Sequence, residues 1–381
     1  METLGINQFS DCYRGRRVLL TGHTGFKGSW LALWLHELGA NVTGVALDPE
    51  AVPNHWSLLG LPIVDQRRDI RNSSEVESVI SAAQPEIVFH LAAQPLVRRS
   101  YRSPLDTWST NVMGTANVLE ALRGQSSVRA VVVVTTDKCY ENQEWSWGYR
   151  ETDRLGGHDP YSASKAGSEL VTASYRRSFF NSETGPLLAT ARAGNVIGGG
   201  DWSEDRLIPD LVRAVESRSS LEIRSPNATR PWQHVLESLS GYLTLGQRLL
   251  AGDRSCAEAW NFGPGQGDNR AVAEILGRLG GQWPEMNWHV TTQSQPHEAS
   301  QLCLDSAKAR TALHWRPVWD LDSTLVKTAD WYRAWLSERT VLSRQQLIEY
   351  VHEAATAGLG WAGVDSGFMG RGDIVSVGAE L

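Results

Sequence analysis

Two residues of the chain, Tyr161 and Lys165, have the types and spacing of a proton-transfer pair. Residues four apart lie on the same face of a helix. A lysine ammonium beside a phenol favours the phenolate, so the sequence predicts that Lys165 lowers the pKa of Tyr161 from its ordinary value of about 10. Such a phenol could accept the proton of a hydroxyl group while a hydride leaves the same carbon.

The hydride requires an acceptor, and a glycine loop near the N-terminus predicts one. Residues 22–28, Gly-His-Thr-Gly-Phe-Lys-Gly, lie between an apolar strand predicted at 17–21 and a buried helix predicted at 29–38. A second strand is predicted at 41–47, and Asp48 follows it. In a dinucleotide-binding unit of this order, the glycines let the backbone approach a pyrophosphate at the helix N-terminus, and the acid binds the ribose hydroxyls. The spacing is GxxGxxG, so the common GxGxxG fingerprint is met only approximately. The candidate cofactor ligands in this loop are Gly22, Thr24, Gly25, Phe26 and Gly28.

The residues after Asp48 bear on the choice of cofactor. Pro49 and Glu50 follow it, and no arginine stands next to it in sequence to hold a 2′-phosphate. The sequence therefore predicts NAD rather than NADP.

Composition and charge exclude several classes of function. The chain has 381 residues, of which 41% are hydrophobic, enough for one large or two modest domains. A net charge of -7 and a pI near 5.8 argue against a nucleic-acid partner. No run of about 18 apolar residues indicates a membrane span, and the N-terminus lacks the apolar segment of a signal peptide. Four cysteines without a CxxC pair are interpreted as free thiols of a cytoplasmic protein, and no metal site is predicted.

Strands and helices alternate through the first half of the chain. Apolar strands are predicted at 86–91 and 130–134, and helices at 76–83, 107–122 and 162–178. This order predicts an α/β fold with a doubly wound parallel sheet of the Rossmann type. Ligands of such sheets bind at the carboxyl ends of the strands. Further candidate cofactor ligands at these ends are Asp69, Ile70, Leu91, Ala92 and Ala93. Tyr161 and Lys165 are candidate cofactor ligands as well, since Lys165 could hold the nicotinamide ribose.

The character of the chain changes past about residue 195, where glycines and prolines become frequent and the elements become shorter. We expect an NAD-binding Rossmann domain at 1–195, with segments around 233–265 returning to it. Residues 196–340 are expected to form mainly a smaller substrate-binding lobe, and 341–381 a C-terminal extension of unknown role.

Within the extension, 343–354 is predicted to be an amphipathic helix. Ser343 and Gln346 have the spacing of a capping box, and one face is apolar. The residues of that face are Leu347, Tyr350 and Val351. The part from Gly358 onwards is glycine-rich and is predicted to be mobile.

Several longer stretches have the sequence of a known family and cover most of residues 17–335. They include TGHTGFKGSWL, TTDKCYENQEWSWGYRETDRLGGHDPYSASKAGSEL, ARAGNVIGGGDW and RPWQHVLE. On these motifs the chain resembles the extended short-chain dehydrogenase/reductases, the NAD-dependent epimerase/dehydratase family, and within it the 4,6-dehydratases of CDP-glucose. The glycine loop and YxxxK indicate only the superfamily, whereas the other motifs are narrower. Relatives acting on dTDP-glucose or GDP-mannose usually carry Glu at the position of Lys138.

The resemblance implies conversion of CDP-glucose to CDP-4-keto-6-deoxyglucose and water in deoxysugar biosynthesis, with NAD regenerated in each turnover. Tyr161 and Lys165 would act in oxidation at carbon 4, and Thr136 would bond the same oxygen. Asp137 is the candidate acid that protonates the carbon-6 hydroxyl, and the hydride would return to carbon 6. Lys138 could be the carbon-5 base, could orient a water or could bind substrate.

Polar and aromatic residues of the same motifs are candidates for holding the nucleotide sugar. Amide and guanidinium groups can bond a diphosphate, and an indole can stack on a base or form a wall. The candidate substrate ligands are Gln94, Asn195, Trp202, Arg206, Arg230 and His297. In this superfamily the residue matching Asn111 braces the helix below the active site. The expected partners are a nucleotide sugar and further copies of the chain, in a dimer or tetramer.

Three alternatives remain open from the sequence. One is a 4,6-dehydratase acting on dTDP- or UDP-glucose, and another is a sugar-nucleotide 4-epimerase. An epimerase has no use for an acid at carbon 6, so Asp137 argues against it. The third is a non-catalytic NAD-binding protein, against which the intact set of Thr136, Tyr161 and Lys165 argues.

Overall fold

The computed structural model describes residues 7–291 and 301–363. Its centre is a sheet of seven parallel strands in the order β3-β2-β1-β4-β5-β6-β11. These strands are β1 Arg17–Thr21, β2 Asn41–Ala46, β3 Val64–Arg67, β4 Ile87–His90, β5 Ala130–Val134, β6 Leu187–Ala193 and β11 Ala259–Phe262. The predicted Rossmann-type α/β sheet is confirmed.

Helices cover both faces of this sheet. In sequence order they are α1 Phe26–Glu37, α2 His55–Leu59, α3 Ser73–Ala83, α4 Val97–Arg102, α5 Pro104–Trp108, α6 Gly114–Arg123, α7 Pro160–Ser178 and α9 Val235–Leu250. Side chains of β1 show the two faces: Val18 and Leu20 pack in the core with α1 and α9, whereas Leu19 packs with α3 and α6. Because both faces are covered, strands such as β5 are apolar at every position and fully buried.

A smaller set of elements lies beyond β6. It contains α8 Leu207–Glu216, α10 Val272–Gln282 and α12 Leu321–Glu338, with β7 Val196–Ile197, β8 Leu221–Ile223, β9 Thr229–Pro231, β10 Gln233–His234, β12 Asn269–Ala271 and β13 Trp288–Val290. The short helix α11 Ala307–Ala312 instead packs against β11 of the large sheet. These strands form three two-stranded sheets, β7–β10, β9–β12 and β8–β13. Helices α8, α10 and α12 enclose a separate apolar core, which includes Leu211, Ile275 and Trp331.

The helix predicted at 107–122 is interrupted. Helix α5 ends at Trp108, a π-helical turn covers Ser109–Met113, and α6 begins at Gly114. Such wide turns inside helices are frequent at functional sites. Here the turn contains Asn111, which is buried.

The C-terminal extension contains α13 Ser343–Thr356, and its apolar face is buried as predicted. The predicted capping box is wrong, because Leu342 is the N-cap and Ser343 is buried. The Ser343 hydroxyl accepts a hydrogen bond from Trp331 Nε1 at 2.9 Å and is 2.7 Å from His55 Nε2. These partners come from distant elements, so a local pattern could not predict them.

The chain just after α13 is packed against the N-terminal segment. Trp361 is buried, and its ring stacks on Phe9 with centroids 5.2 Å apart. The expectation that the chain is mobile from Gly358 onwards is therefore wrong for residues 358–363, while residues 364–381 lie outside the described part. Within the described ranges, no helix is long and apolar enough to cross a membrane.

Candidate active site

A cleft of about 1410 Å³ runs across the carboxyl ends of the strands of the large sheet. Its walls are the glycine loop, the segments that follow β2 to β6, and residues 201–210 and 221–232 of the smaller lobe. Carboxyl ends of parallel strands are where α/β sheets bind ligands. The volume exceeds that of a typical drug-sized pocket of roughly 300–1,000 Å³, so the cleft has room for a dinucleotide and a second ligand.

The glycine loop is shaped by backbone contacts that exclude side chains. Gly22 has φ +78°, and a Cβ there would lie 2.7 Å from the Ala92 nitrogen. A Cβ on Gly28 would lie 2.0 Å from the Gly22 oxygen. Gly25 is the N-cap of α1, and Thr24 Oγ1 donates to the Leu47 oxygen at 3.0 Å. The loop thus presents backbone N–H groups at a helix N-terminus, which fits a pyrophosphate.

Asp48 follows β2 at the rim of the cleft with its side chain 86% exposed, free to meet ribose hydroxyls. Arg67 Nε lies 3.6 Å from Asp48 Oδ1. No arginine follows Asp48 in the sequence, but the expectation that none lies near it is wrong. Strand β3 pairs with β2, so Arg67 of β3 lies next to Asp48 in the fold. The Asp48 carboxylate remains the group that would repel a 2′-phosphate.

The other predicted cofactor ligands also line the cleft. The Asp69 carboxylate accepts two hydrogen bonds from Arg71, one from the backbone nitrogen at 2.9 Å and one from Nε at 2.8 Å. Ile70 is buried below Gly114, where a Cβ would lie 2.5 Å from Ile70 Cδ1. The remaining members, Leu91, Ala92 and Ala93, follow β4 and border the same space.

Tyr161 and Lys165 lie in the first two turns of α7, whose N-cap is Asp159. Both are buried and line the cleft. Burial raises the pKa of Tyr161, against the lowering effect of a hydrogen bond with the Thr136 hydroxyl. Lys165 Nζ instead donates to the Val134 oxygen at 3.2 Å, and burial lowers the pKa of Lys165 to about 8.

The prediction that Lys165 lowers the pKa of Tyr161 is therefore wrong for this structure. The helical spacing does place both side chains on one face, but the Lys165 ammonium donates its hydrogen bond to the carbonyl of Val134 at the end of β5. Burial of the phenol outweighs the favourable effects on the phenolate.

Asp137 lies directly after Thr136 in a short turn beyond β5 and is fully buried. Thr136 Oγ1 donates to Asp137 Oδ1 at 2.8 Å, whereas Asp137 Oδ2 has no hydrogen-bond partner among the described residues. The next residue, Lys138, lines the cleft and donates from Nζ to Asn195 Oδ1 at 3.3 Å. A phenol, a carboxyl group and an amine thus converge at the end of one strand.

Asn111 lies under this centre and joins three segments. Its Nδ2 donates to Ser164 Oγ at 2.8 Å and to the Gln94 oxygen at 3.1 Å, and its Oδ1 accepts from the Gln94 nitrogen at 2.8 Å. The π-helical turn therefore ties α7 to the segment after β4. The side-chain amide of Gln94 donates to Thr107 and to Leu96, close to the position expected for substrate.

The predicted substrate ligands in the smaller lobe border the same cleft. Trp202 packs edge-on against Trp331 and Tyr332. Arg206 donates to Asp201 Oδ2 at 2.9 Å, and Arg230 is buried and donates to the Thr229 oxygen at 2.8 Å. His297 lies outside the described residues.

Two features of the candidate site were missed in the sequence. Lys27, inside the glycine loop, lines the cleft and donates from Nζ to Tyr242 Oη at 3.3 Å. Glu169 and Arg192 form an ion pair at 2.8 Å, each 3% exposed, behind the strand ends. The available signals were a lysine inside the glycine loop, and an acid one helical turn after Lys165.

Cysteine chemistry takes no part in this centre. The four cysteines, Cys12, Cys139, Cys256 and Cys303, form no disulfide. Cys139 is buried next to the catalytic turn, and burial raises its pKa, which disfavours the thiolate. Among the described residues, no group of three or more His, Cys, Asp or Glu side chains is arranged to hold a metal.

Fold and site together define a class, the short-chain dehydrogenase/reductases with an extended substrate lobe. Residues 19–328 match the profile of the family described as GDP-mannose 4,6 dehydratase, and the chain belongs to this family. It is 47% identical over 348 residues to the CDP-glucose 4,6-dehydratase of Salmonella typhimurium, covering 89% of this chain and 97% of that protein.

Solved structures agree with this assignment. The dTDP-glucose 4,6-dehydratase of Streptomyces venezuelae, crystallised with NAD, is 26% identical with a TM-score of 0.70, covering 83% of this chain and 96% of that one. The fold is also that of an epimerase from Methanothermobacter thermautotrophicus, with a TM-score of 0.76 at 23% identity, covering 90% of this chain and 96% of that one.

Proposed function

We propose that the protein is a sugar-nucleotide 4,6-dehydratase that converts CDP-glucose to CDP-4-keto-6-deoxyglucose and water. The observation that carries this proposal is the buried Asp137, whose Oδ2 has no partner among the described residues, at the end of β5 beside Tyr161 and Lys138. Loss of water across carbons 5 and 6 needs an acid in addition to the base that serves oxidation. A 4-epimerase needs only the base that serves oxidation.

The cofactor is NAD, and the glycine cradle supports its place. Gly22, Gly25 and Gly28 would hold the pyrophosphate, and Asp48 the adenosine ribose. The other predicted ligands, Thr24, Phe26, Asp69, Ile70, Leu91, Ala92, Ala93, Tyr161 and Lys165, border the same space. When bound, NAD supplies a hydride acceptor for carbon 4 and a hydride donor for carbon 6.

Oxidation at carbon 4 is assigned to Tyr161 and its neighbours. Tyr161 would take the hydroxyl proton as the hydride leaves, and Thr136 would bond the same oxygen. Since burial raises the pKa of Tyr161, proton transfer requires added positive charge near the phenol. Lys165 supplies that charge if its ammonium leaves the Val134 carbonyl when the ligands bind.

Elimination is assigned to the turn after β5. The ketone acidifies the proton on carbon 5, and Lys138 is proposed as the base that removes it. Asp137 would protonate the departing carbon-6 hydroxyl through Oδ2, the oxygen that has no partner in the described residues. The bond between Thr136 and Asp137 Oδ1 holds the carboxyl group so that this oxygen stays available.

The nucleotide sugar would lie between the sheet and the smaller lobe. Asn195, Arg206 and Arg230 are proposed to bind its diphosphate, and Trp202 and Gln94 to wall the pocket. His297 is proposed as a further ligand from its place in the sequence alone.

We also infer that the protein is a cytoplasmic homo-oligomer, a dimer or tetramer. Leu105 on α5 and Leu170 on α7 are 82% and 61% exposed, and Met113 between α5 and α6 is 56% exposed. Helices α5 and α7 pack together, so these apolar side chains belong to one helical layer. Light scattering should show a dimer or tetramer, and Leu105→Asp with Leu170→Asp should lower the measured mass to that of a monomer.

Product analysis tests the activity. The purified protein is incubated with CDP-glucose, and mass spectrometry should show a product lighter by one water. Tyr161→Phe is the matched control and should bind NAD but give little product. An unchanged mass with inverted stereochemistry at carbon 4 would identify an epimerase, and no reaction with any nucleotide-glucose would identify a non-catalytic protein.

Competition tests the choice of base. Cytosine offers an exocyclic amine donor where uracil and thymine offer a carbonyl acceptor. A site built for the donor leaves a buried acceptor unpaired with the wrong base, which costs about 1–3 kcal/mol, or roughly ten- to a hundredfold in preference. Equimolar CDP-, dTDP- and UDP-glucose in one tube should give mainly the CDP product. Equal consumption would contradict CDP-glucose while leaving the dehydratase activity in place.

A further inference from the structure

Lys27 is a partly buried titratable residue with no part in the mechanism above. It leaves the first turn of α1, lines the cleft, and donates from Nζ to Tyr242 Oη at 3.3 Å. Tyr242 is a fully buried residue of α9 and forms the floor behind Lys27. Since the hydroxyl is a single neutral partner, Tyr242 does not neutralise the ammonium.

The charges that face Lys27 come from three other segments, which are the turn after β5, helix α7 and the N-terminus of α8. Burial, together with the cations Arg206, Lys165 and Lys138, lowers the pKa of Lys27 to about 7, and Asp137 acts in the opposite direction. Arg206 is itself paired with Asp201 at 2.9 Å. The centre therefore holds more positive than negative charge. A bound dinucleotide would bring two negative charges to the adjacent glycine loop and favour the charged ammonium of Lys27.

The position of Lys27 determines which part of a bound NAD molecule its charge would act on. The pyrophosphate would lie on the glycine loop that contains Lys27, and the reacting carbon would lie beside Tyr161 and Thr136. The nicotinamide must bridge these two places in order to exchange a hydride with that carbon. Lys27 is attached at the first place, and its Nζ contacts Tyr242, whose hydroxyl lies within electrostatic reach of Tyr161 and Asp137 at the second. The charge of Lys27 therefore acts on the space between the two places.

We propose that Lys27 favours the reduced, neutral nicotinamide over the oxidised, cationic ring and thereby promotes oxidation at carbon 4. This inference rests on the proposed function. In that step the C–H bond of carbon 4 breaks and its electron pair reduces the ring, which loses its positive charge, while the hydroxyl proton passes to Tyr161. A fixed cation near the ring destabilises the oxidised, cationic nicotinamide relative to the reduced, neutral one. The equilibrium therefore shifts towards oxidation of carbon 4.

The experiment measures binding and needs no turnover. Wild type, Lys27→Met and the charge-retaining Lys27→Arg are equilibrated with equimolar NAD and NADH and separated from free nucleotide. They are then denatured, and the bound NADH:NAD ratio is assayed. We expect the ratio to fall about tenfold in Lys27→Met, the effect of one charge about 10 Å away at an effective dielectric near 20, and to stay near the wild-type value in Lys27→Arg.

Lys27→Gln is a second neutral variant in case methionine disturbs the packing against Tyr242, and thermal melting checks that all the proteins are folded. The proposal is wrong if both neutral variants keep the wild-type ratio, or if Lys27→Arg changes as much as Lys27→Met. If wild type binds neither nucleotide, the proposed function fails instead, so the two failures are distinguishable.

Discussion

Two buried carboxyl groups, Glu169 and Asp137, lie close to the ends of the same strands but have opposite surroundings. Glu169 accepts hydrogen bonds from Thr135, Thr190 and two nitrogens of Arg192, so both of its oxygens are satisfied. Burial alone would raise the pKa of Glu169, but Arg192 and the hydroxyl groups lower it. Asp137 has one bond to Oδ1 and none to Oδ2 within the described structure.

This difference is the basis for proposing a structural role for Glu169 and a reactive role for Asp137. The pair of Glu169 with Arg192 joins α7 to β6, and Arg192 also donates to Tyr140 Oη at 2.7 Å, so it fixes the base of the catalytic turn. Asp137 lies in that turn, and its Oδ2 has no hydrogen-bond partner within the described residues. A buried polar group without a partner costs stability, and such costs are concentrated at functional sites.

The largest effect should come from breaking the satisfied pair. Glu169→Gln leaves Arg192 buried without an anion, which should lower the free energy of unfolding by about 3–5 kcal/mol in urea titrations. The double variant Glu169→Gln with Arg192→Met, which also removes the unpaired cation, should recover part of the loss. Wild-type stability of Glu169→Gln would contradict the structural role.

Asp137→Asn should have the converse effect. It removes the acid but keeps the shape, so dehydration should slow by about a hundred- to a thousandfold, while unfolding in urea changes by less than about 1 kcal/mol. Oxidation persists, so transient NADH absorbance with CDP-glucose should exceed that of wild type. Asp106→Asn, at an exposed carboxylate on the cleft rim, is the matched control. Failure to form NADH would instead place Asp137 in oxidation or binding.

Substitution of Lys165 tests whether burial of its ammonium, next to the ion pair of Glu169 with Arg192, lowers the free energy of unfolding. Burial lowers its pKa to about 8 from an ordinary value of 10.5. Between these two pH values the unfolded chain binds more protons than the folded one, so this residue makes stability rise with pH. The unfolding free energy of wild type relative to Lys165→Met should therefore increase between pH 8 and 10.5, by about 3 kcal/mol at most. A flat difference across this range would show that the Lys165 pKa is unshifted.

Thr136 should give the smallest effect. Thr136→Val removes the hydroxyl that donates to Asp137 Oδ1 and bonds Tyr161, but keeps the volume. Turnover should fall about tenfold, the worth of one hydrogen bond of about 1–1.5 kcal/mol, and Thr136→Ser should restore most of it. If Thr136→Val changes KM alone, the hydroxyl serves binding rather than orientation of Asp137.

Local sequence patterns predicted the parts of the structure that local physics determines. The strand, glycine loop, helix and second strand between residues 17 and 47 form as predicted, because apolar runs and glycine spacing fix each element. The turn that carries Asp137 was located because it follows the apolar run of β5. The π-helical turn at 109–113 was missed because helical periodicity continues across it.

The errors concern properties that depend on distant residues. The pKa of Tyr161 depends on burial under the whole lobe, and Ser343 is held by Trp331 and His55 rather than by its own helix. Arg67 reaches Asp48 only because their strands are neighbours in the sheet. Spacing along a sequence carries no information on such contacts.

The aromatic stack near the chain ends has a consequence for the order in which the protein is synthesised. Phe9 and Trp34 emerge first from the ribosome, yet both rings lie against Trp361, and Trp34 also meets Tyr350. Nearly the whole described chain must be translated before these partners exist. Until Trp361 has been made, the growing polypeptide therefore lacks these partners for the Trp34 ring of α1, and exposed apolar surface of this kind favours association of incompletely folded chains.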